Sequence, residues 1–377
     1  MNKTVTDIQR RVLALIWRGA NAPTTDADFN ELAQATFAFQ FTRNAVYRAY
    51  CERLKLTPST TSHWKEIPAV PTSAFKDFTI TCFPVAEAGA EFHTSGTTAD
   101  KTGKHLLKTS ELYDAAIRPN FAAHLLPELG RSPQQVCRDS HNDNERLPML
   151  ILTPSPEEAP HSSLSHMIGV VMKEFGATDS GFYVERGALC VERLVHALRE
   201  AEQARQPVFL LGTAFAFVHF FDHCKQHDLK FKMAGGSRVM ETGGFKGRIR
   251  EMAKPDLYVL FERWLGVPSA RVVNEYGMTE LSTQFYDQTL REDCQTDRKL
   301  APPWSRVLII DPNTGNEAKE GKHGLIRVFD LANLWSAMCV QTEDIGVAYD
   351  NGFEILGRTA GAEVRGCSLN AESIPIR

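Results

Sequence analysis

A run of small hydroxyl residues and glycines, TSGTTADKTGK, extends from Thr94 to Lys104 and is the strongest local chemical signal in the chain. Glycines let backbone N–H groups approach an anion closely, and hydroxyl groups and lysines add donors and positive charge. The run is not a Walker loop, because the GxxxxGK[ST] spacing is absent from it. It predicts a phosphate-binding loop, with a polar hairpin turn as the alternative.

A second cluster, NEYGMTE at 274–280, follows a short apolar segment. Its Gly277 allows a tight turn, and open α/β sheets bind ligands at the ends of their strands. Tyr276 could stack on a base, Thr279 could bond a phosphate and Glu280 could hold a magnesium ion. A helix N-terminus, with the threonine and glutamate serving its cap and dipole, explains the same residues.

Two further segments carry adjacent glycines or opposite charges. In ETGGFKG at 241–247, Gly243 and Gly244 permit the backbone to approach a flat ring, and a plain strand-to-helix turn is the alternative. The motif TED ends at Asp344, one hairpin before Arg358. A carboxylate can accept from two ribose hydroxyls and an arginine can clamp ribose or phosphate, although a surface ion pair explains them equally.

In combination and in order, these segments resemble the adenylate-forming superfamily of acyl and aryl acid ligases. The matching segments are TSGTTADKTGK (94–104), EYGMTE (275–280), TED (342–344) and GR (357–358). Within the superfamily the chain is most similar to acyl-protein synthetases of bacterial bioluminescence, through ETGGFKGR (241–248) and GRTAGAEVRGCSL (357–369). The resemblance spans residues 60 to 370, most of the chain.

The resemblance implies a fold, a reaction and a set of site residues. The fold is α/β: an adenylate-forming large domain with mostly parallel sheets flanked by helices, a small β-rich C-terminal subdomain and a very short tail. In the reaction a carboxylic acid, by family default a fatty acid, attacks the α-phosphate of ATP, giving an acyl adenylate and pyrophosphate, and a thiol then takes the acyl group. ATP and Mg²⁺ are the implied cofactors. The implied site residues are Thr94, Ser95, Gly96, Thr97, Thr98 and Lys104 for the phosphates, Gly243, Gly244, Tyr276 and Gly277 for adenine, Thr279 and Glu280 for phosphate and metal, and Asp344 and Arg358 for ribose.

Cys367 stands ten residues before the end of the sequence, in RGCSL. In acyl-protein synthetases of this type, a cysteine near the C-terminus receives the acyl group as a thioester and passes it to a partner reductase, and Cys367 is the matching position. Gly366 gives the segment conformational freedom, and Arg365 could favour the nucleophilic thiolate. A buried structural cysteine is the alternative.

One departure from the superfamily concerns lysine. Most members continue past the GR motif into a further domain that supplies a catalytic lysine, whereas only 19 residues follow Arg358 here and none of them is a lysine. We therefore expect Lys101, Lys104 or Lys246, a metal ion or another subunit to take that role.

Periodicity predicts the elements that must position these residues. Strands alternating with helices imply crossover connections and a largely parallel sheet. We expect residues 1–300 to form the α/β adenylating domain, 301–357 a β-rich subdomain of it and 358–377 a truncated tail. The apolar segment Phe209–Phe221 either lines an acyl tunnel or packs in the core. Helices are predicted over 28–56, 162–175, 192–206 and 215–227, and strands over 78–83, 91–94, 105–108, 147–153, 207–212, 239–242, 271–274, 306–310, 324–330, 347–349 and 352–356.

Composition narrows the class of protein. The 377 residues contain 42 lysines and arginines against 46 acidic residues, and a net charge of −4 disfavours a nucleic-acid binder. No apolar run is long enough for a membrane span, and the N-terminal segment predicts a helix rather than a signal peptide. Eight scattered cysteines without a CxxC pair favour a cytoplasmic protein with reduced thiols.

Two other functions fit the same motifs. One is a ligase that delivers the acyl group to coenzyme A or to the thiol of a carrier protein. The other is a non-catalytic nucleotide-binding subunit. A partner protein that accepts the acyl group is implied by the resemblance alone.

Overall fold

The computed structural model describes residues 3–94, 102–129, 146–243, 252–293 and 295–359. In these ranges helices cover two larger β-sheets and two small hairpins. Among the described helices, none combines the length and apolar character needed to cross a membrane. The α-helices are α1 (Lys3–Ile16), α2 (Asp26–Arg43), α3 (Ala45–Leu54), α4 (Ala74–Asp77), α5 (Glu111–Leu125), α6 (Ser163–Phe175), α7 (Val191–Ala204), α8 (Ala214–Gln226) and α9 (Lys254–Leu265).

Most of the strands lie where alternating or continuous apolar residues predicted a strand. They are β1 (Val70–Pro71), β2 (Ala90–His93), β3 (Lys104–Leu107), β4 (Met149–Leu152), β5 (Gly181–Phe182), β6 (Val184–Glu185), β7 (Ala188–Leu189), β8 (Phe209–Thr213), β9 (Arg238–Thr242), β10 (Val272–Tyr276), β11 (Phe285–Tyr286), β12 (Ser305–Ile310), β13 (His323–Asp330), β14 (Cys339–Tyr349) and β15 (Gly352–Arg358).

The six-stranded sheet confirms the predicted parallel α/β architecture. Its strand order is β11-β10-β9-β8-β4-β5, and every pair except β10 with β11 is parallel. Helices α6 to α9 make the crossovers that parallel pairing requires. All four residues of β4 and all five of β8 and β9 are buried, as expected for strands covered on both faces.

The second sheet is antiparallel except at one edge. Strands β12, β13, β14 and β15 pair in an antiparallel manner, and β1 joins β14 in parallel. The sheet thus contains the β-rich segment at 305–358 together with two residues, Val70 and Pro71, from far earlier in the chain. The predicted strand at 347–349 is only the end of β14, which begins at Cys339.

The aromatic residues of the segment 209–221 lie in apolar cores. Phe209, Phe217, Phe220 and Phe221 are at most 2% exposed. Phe217 and Phe221 contact Phe261 of α9, with ring centroids 4.8 and 5.2 Å apart. Core packing, one of the two interpretations of this segment, therefore accounts for four of its five aromatic residues. The fifth, Phe215, is half-buried and stacks on His219 with ring centroids 5.5 Å apart.

The single helix predicted over 28–56 is wrong, because Asn44 divides it into α2 and α3. The backbone of Asn44 is extended, with φ −100° and ψ 101°, and its side chain accepts a hydrogen bond from the Tyr47 N–H at 3.0 Å. Asparagine is among the strongest N-cap residues, so it ends one helix and begins the next. The apolar spacing continues across the break and conceals it.

The strand predicted over 78–83 is also wrong. This segment is irregular, and it packs on the turn between β13 and β14. The Cys82 N–H donates to the Trp335 carbonyl at 2.9 Å, and the Ser336 hydroxyl donates to the Ile80 carbonyl at 2.8 Å. Ile80, Cys82 and Phe83 are buried without pairing as a strand, whereas Phe78 is exposed. β-Branched and aromatic residues therefore serve here to fill a core and not to pair with another strand.

Candidate active site

The carboxyl ends of the parallel strands β4, β8, β9 and β10 meet at one edge of the six-stranded sheet. After β4 the chain adds β5 on one side of β4 and later adds β8 on the other side of β4. The direction in which strands are added therefore reverses, and the topological switch point lies between β4 and β8. Open α/β sheets bind ligands outside the carboxyl edge at such a point. Gly243 directly follows β9 and Gly277 directly follows β10, which brings both predicted adenine-site glycines to this edge.

Tyr276, Asp344 and Arg358 form one hydrogen-bonded group. The Tyr276 hydroxyl donates to Oδ2 of Asp344 at 2.8 Å, and Nε of Arg358 donates to Oδ1 at 2.6 Å. The aspartate is only 4% exposed. The structure thus brings together the residues predicted for adenine and for ribose, which lie in three separate motifs.

Strand register explains half of this group. Asp344 in β14 lies directly opposite Arg358 in β15, so the hairpin itself pairs the two charges. Burial alone would lower the pKa of Arg358, but the carboxylate of Asp344, with a smaller contribution from Glu280, raises it. The guanidinium is therefore held as a cation facing two acidic side chains.

The ring of Tyr276 lies between two phenylalanines. Its centroid is 6.1 Å from that of Phe285 in β11 and 6.4 Å from that of Phe353 in β15. Burial, reinforced by the negative charge of Asp344, raises the pKa of Tyr276 well above its ordinary value. The side chain is half-buried, so the ring is fixed in position while part of it remains accessible.

The predicted phosphate loop is closed at its base by Thr94 and Gly103. The Thr94 N–H donates to the Gly103 carbonyl at 2.8 Å, and the Gly103 N–H donates to Oγ1 of Thr94 at 2.8 Å. A Cβ on Gly103 would lie 3.0 Å from that hydroxyl and 3.1 Å from the main chain of Phe75. Thr94 therefore sits at the predicted site, with its hydroxyl bonded to the base of the hairpin.

Lys104, the other described residue predicted to contact phosphate, pairs with Glu91 across the hairpin. Nζ of Lys104 lies 2.7 Å from Oε1 of Glu91, and Nε2 of His93 lies 2.6 Å from the same oxygen. Hydrogen bonds from Lys104 and His93 lower the pKa of Glu91. The His93 ring stacks on His161 with centroids 4.3 Å apart, so cationic and imidazole groups cluster at the base of the loop.

Thr279 and Glu280 connect the tyrosine motif to this hairpin. The Thr279 hydroxyl donates to the His93 carbonyl at 3.2 Å. Thr279 is 2% exposed and Glu280 is 3% exposed. The negative charge of Glu280 makes a small contribution to the raised pKa of Arg358.

A buried polar network underlies the predicted adenine slot. The Tyr258 hydroxyl and Nδ2 of Asn274 donate to Oε1 of Glu241 at 3.1 and 2.8 Å. Nζ of Lys299 donates to the Asn274 carbonyl at 2.9 Å. Gly243, at the rim of this network, has φ +84°, a conformation that glycine adopts most readily.

Gly277 is required by the side chain beneath it. A Cβ at this position would lie 2.3 Å from Oε1 of Glu275. That carboxyl group is 5% exposed and accepts a hydrogen bond from the Thr242 hydroxyl. Burial raises the pKa of Glu275 to about 7, against the opposing effect of the Thr242 hydrogen bond.

Replacing Gly277 with alanine is expected to destabilise the protein by about 1–3 kcal/mol, the usual cost of overpacking a buried site. Glu275→Ala removes the obstructing carboxyl and completes a double-mutant cycle. The loss of unfolding free energy in the double variant should be smaller than the sum of the losses in the two single variants. Urea unfolding of the two single variants and the double variant measures these losses. Gly235→Ala is the control, because a Cβ there meets nothing within 4 Å, and strict additivity of the two losses would contradict the steric explanation.

Several predicted site residues lie outside the described ranges. They are Ser95, Gly96, Thr97 and Thr98 of the phosphate loop, Gly244 of the adenine slot and Cys367.

Comparison with known proteins shows the family to which the chain belongs. A sequence profile of the family described as "Acyl-protein synthetase, LuxE" matches residues 25–373. The chain belongs to this family. It is therefore an acid–thiol ligase, and the resemblance noted from its motifs is confirmed.

Two relatives extend over nearly the whole synthetase. The long-chain-fatty-acid–luciferin-component ligase of Aliivibrio fischeri is 21% identical over 360 residues, which cover 92% of this chain and 88% of the relative. The enzyme of the same description from Vibrio harveyi is 19% identical over 352 residues, covering 90% and 86%.

The fold is that of adenylate-forming enzymes. A crystal structure of 2-hydroxyisobutyryl-CoA ligase with 2-HIB-AMP and CoA superposes with a TM-score of 0.65 at 14% identity. The match covers 90% of the synthetase and 70% of that chain. Identity at this level shows a shared fold, which is the fold class that the motifs implied.

The sequence motifs did not predict two residues that contact the main chain of the candidate site. His105 of β3 and Asn333, in the turn between β13 and β14, hydrogen-bond to the main chain of Thr279 and Glu280. His105 follows the phosphate-loop motif directly in sequence, which was a usable signal. Asn333 stands in no motif, and its role depends on folding alone.

Proposed function

We propose that the synthetase activates a fatty acid with ATP as an acyl adenylate, forms a thioester on Cys367 and transfers the acyl group to a partner protein. The observation that carries the proposal is the group formed by Tyr276, Asp344 and Arg358, with Asp344–oxygen contacts of 2.8 and 2.6 Å. Thr279 and Glu280 follow the tyrosine within the same motif. An adenosine bound at this edge would direct its phosphates toward the hairpin that Thr94 and Gly103 close.

The group suits an adenosine for a physical reason. One Asp344 oxygen accepts from Tyr276 and the other from Arg358, and a carboxylate oxygen can accept a second hydrogen bond, here from a ribose hydroxyl. The hydrogen bond from the Arg358 guanidinium to Asp344 is charge-assisted, and such bonds are stronger than neutral ones. The half-buried ring of Tyr276 offers a surface on which adenine can stack.

Glu280 fits a magnesium ligand by its chemistry. It is a carboxylate at 3% exposure beside the phosphate hairpin, and Mg²⁺ prefers oxygen ligands of this kind. When bound, the metal supplies positive charge that offsets repulsion between the two anionic reactants. Thr279, whose hydroxyl is 3.2 Å from the His93 carbonyl, would orient a phosphate oxygen next to it.

The adenylation step needs no proton transfer. A carboxylate oxygen of the fatty acid forms a bond to the α-phosphorus as the bond to the pyrophosphate oxygen breaks. The acid is already ionised at neutral pH, so the protein has no need of a general base. Arg358, Lys104 and backbone donors of the hairpin supply the fixed electrostatic stabilisation that this step requires.

The cysteines in the described ranges support an acceptor elsewhere. Cys51, Cys82, Cys224 and Cys339 are buried. Burial raises the pKa of the Cys51 and Cys224 thiols to about 12, and the pKa values of the other two rise further. A thiol that resists ionisation is a poor nucleophile, so these four cysteines are unsuited to accept the acyl group. Cys367 is proposed as the acceptor because the family resemblance favours it.

The second step transfers the acyl group to sulfur. The Cys367 thiolate attacks the carbonyl carbon of the acyl adenylate, a carbon–sulfur bond forms, and AMP leaves with the electrons of the broken carbon–oxygen bond. The names of the two bacterial relatives designate a long-chain fatty acid and a luciferin component as the reactants. The family description, acyl-protein synthetase, supports a protein as the acyl acceptor.

ATP–pyrophosphate exchange over a panel of acids tests the proposed function. We expect exchange that depends on a long-chain fatty acid, followed by an acyl label on the protein that hydroxylamine removes. Exchange without protein labelling, together with rapid thioester formation on free coenzyme A, would favour the coenzyme A ligase instead. Absence of exchange with every acid would favour a non-catalytic nucleotide-binding subunit.

Lys104→Met is expected to raise the KM for ATP by about tenfold, the effect of losing one charge-assisted contact of about 1.5 kcal/mol. Lys108→Met is the matched control. Lys108 pairs with Glu87 near the same hairpin, just as Lys104 pairs with Glu91. Each surface pair stabilises the fold by at most about 1 kcal/mol. Equal KM values in the two variants would exclude Lys104 from phosphate binding.

A further inference from the structure

His105 and Asn333 are completely buried polar residues at the centre of the site region. Both have 0% exposure. His105 belongs to β3, opposite Phe92 of β2, and Asn333 lies in the turn that precedes β14. They are 228 residues apart in sequence, yet Nε2 of the histidine lies 2.9 Å from Oδ1 of the asparagine.

Together they hold two consecutive carbonyl groups of the tyrosine motif. Nδ1 of His105 donates to the Thr279 carbonyl at 2.7 Å. Nδ2 of Asn333 donates to the Glu280 carbonyl at 2.8 Å. These are the main-chain groups of the two residues whose side chains are proposed to contact phosphate and metal.

The asparagine is itself fixed on a rigid base. Its Nδ2 also donates to the Ala337 carbonyl at 2.9 Å, which holds the amide on the turn itself. Nε2 of Gln40 in α2 donates to the Asn333 carbonyl at 2.8 Å. Oε1 of Gln40 accepts from the Met338 N–H at 2.9 Å, which fixes the far side of the turn.

The same turn holds the next residues of the loop. Asp330 accepts from the Ser282 N–H at 2.8 Å and from the Thr283 hydroxyl at 2.7 Å. The main chain is therefore held at Thr279, Glu280 and Ser282, and Thr283 is held through its hydroxyl. The groups that hold them come from β3, from the last residue of β13 and from the β13–β14 connection. A peptide group held on its carbonyl has little freedom to rotate, and its orientation sets the direction of the adjoining side chains.

We propose that His105 and Asn333 are positioning residues, which orient the Thr279–Glu280 main chain and through it the side chains that act in adenylation. The inference rests on the proposed function of that site. Displacement of a catalytic group by about 1 Å can reduce a rate by about 10²-fold, so loss of either contact should affect turnover more than folding. Satisfaction of buried polar groups without a positioning role is the competing explanation.

The variants are chosen to separate these explanations. His105→Phe keeps a flat ring in contact with Phe75, whose centroid is 6.0 Å away, but removes the donor to Thr279. His105→Gln keeps an amide that can still donate. His124→Phe is the matched control, because His124 is also buried, at 1% exposure. Its contacts with Asn120, Tyr286 and Arg291 lie outside the motif.

Two measurements are made on the full chain: pyrophosphate-exchange kinetics and hydrogen–deuterium exchange of the peptide 276–283. We expect His105→Phe to lower kcat by at least about tenfold with an acid KM within about twofold of the original, and to increase deuterium uptake in that peptide. His105→Gln should recover part of both effects. His124→Phe should leave kcat and the deuterium uptake of the peptide 276–283 unchanged, apart from any change that its loss of thermal stability explains.

The inference is overturned if both His105 variants fold and leave kcat and deuterium uptake unchanged, or if His124→Phe produces the same changes. Should His105→Phe fail to fold, His105→Gln decides by the same two criteria. Absence of ATP–pyrophosphate exchange in the unmodified chain would contradict the proposed function. Deuterium uptake by the peptide 276–283 would still test whether His105 holds that segment.

Discussion

Replacing Glu280 with glutamine is expected to reduce the rate of ATP–pyrophosphate exchange by about 10²- to 10³-fold, the range for removal of one preorganised electrostatic group. Glutamine keeps the shape of the side chain but cannot carry the negative charge that a magnesium ligand needs. The Mg²⁺ concentration for half-maximal exchange should rise in the same variant. The KM for the fatty acid should change little, because the carboxylate is assigned to the phosphates.

Stability separates this effect from misfolding. Glu280 is 3% exposed, and glutamine keeps its volume and an acceptor oxygen, so the melting temperature should not fall in proportion to the rate. Glu174→Gln is the matched control, since its side chain is 17% exposed and pairs with Arg118 at 3.1 Å, away from the motif. A folded Glu280→Gln protein that exchanges within about threefold of the original would refute the assignment.

Cys367→Ala is expected to abolish the hydroxylamine-labile acyl label on the protein while leaving ATP–pyrophosphate exchange intact. The reason is that adenylation and thiol capture are separate steps, and only the second uses a sulfur nucleophile. Incubation with labelled fatty acid and ATP, followed by mass spectrometry of the C-terminal peptide, measures the modification directly. In the unmodified chain the mass should increase by one acyl group on the peptide that contains Cys367.

A second cysteine variant controls for nonspecific labelling. Cys190 is the half-buried cysteine of the described ranges, and Cys190→Ala should retain both exchange and the label. Label that survives in Cys367→Ala would exclude this residue as the acceptor. Loss of exchange in Cys367→Ala, with the protein folded, would instead mean that the C-terminal segment takes part in adenylation.

Most elements of the fold followed from local patterns. The parallel strands were recognisable because burial on both faces requires continuous apolar residues, as in β4 and β8. The errors arose where side-chain chemistry interrupted an apolar pattern. Asn44 ends a helix whose periodicity continues, and the segment 78–83 is buried against a turn without pairing as a strand.

The contacts of the candidate site also divide into those that local sequence encodes and those that depend on tertiary packing. The pairing of Asp344 with Arg358 is encoded locally, since a short hairpin places the two residues opposite each other. The contact of Tyr276 with Asp344 joins residues 68 positions apart and depends on how the two sheets pack. No local pattern specifies that distance, because each sheet satisfies its own backbone hydrogen bonds whatever its position relative to the other.

The sequence by itself determined the family and the parallel architecture, because residue types and their order record both the functional groups available and the burial of each strand. Only the tertiary structure decided which groups touch. It bonded the Thr94 hydroxyl to the base of its own hairpin, paired Lys104 with Glu91, and placed His105 and Asn333 beneath the tyrosine motif. These contacts come from buried polar groups that need partners, and the partners are supplied by segments that meet only when the chain folds.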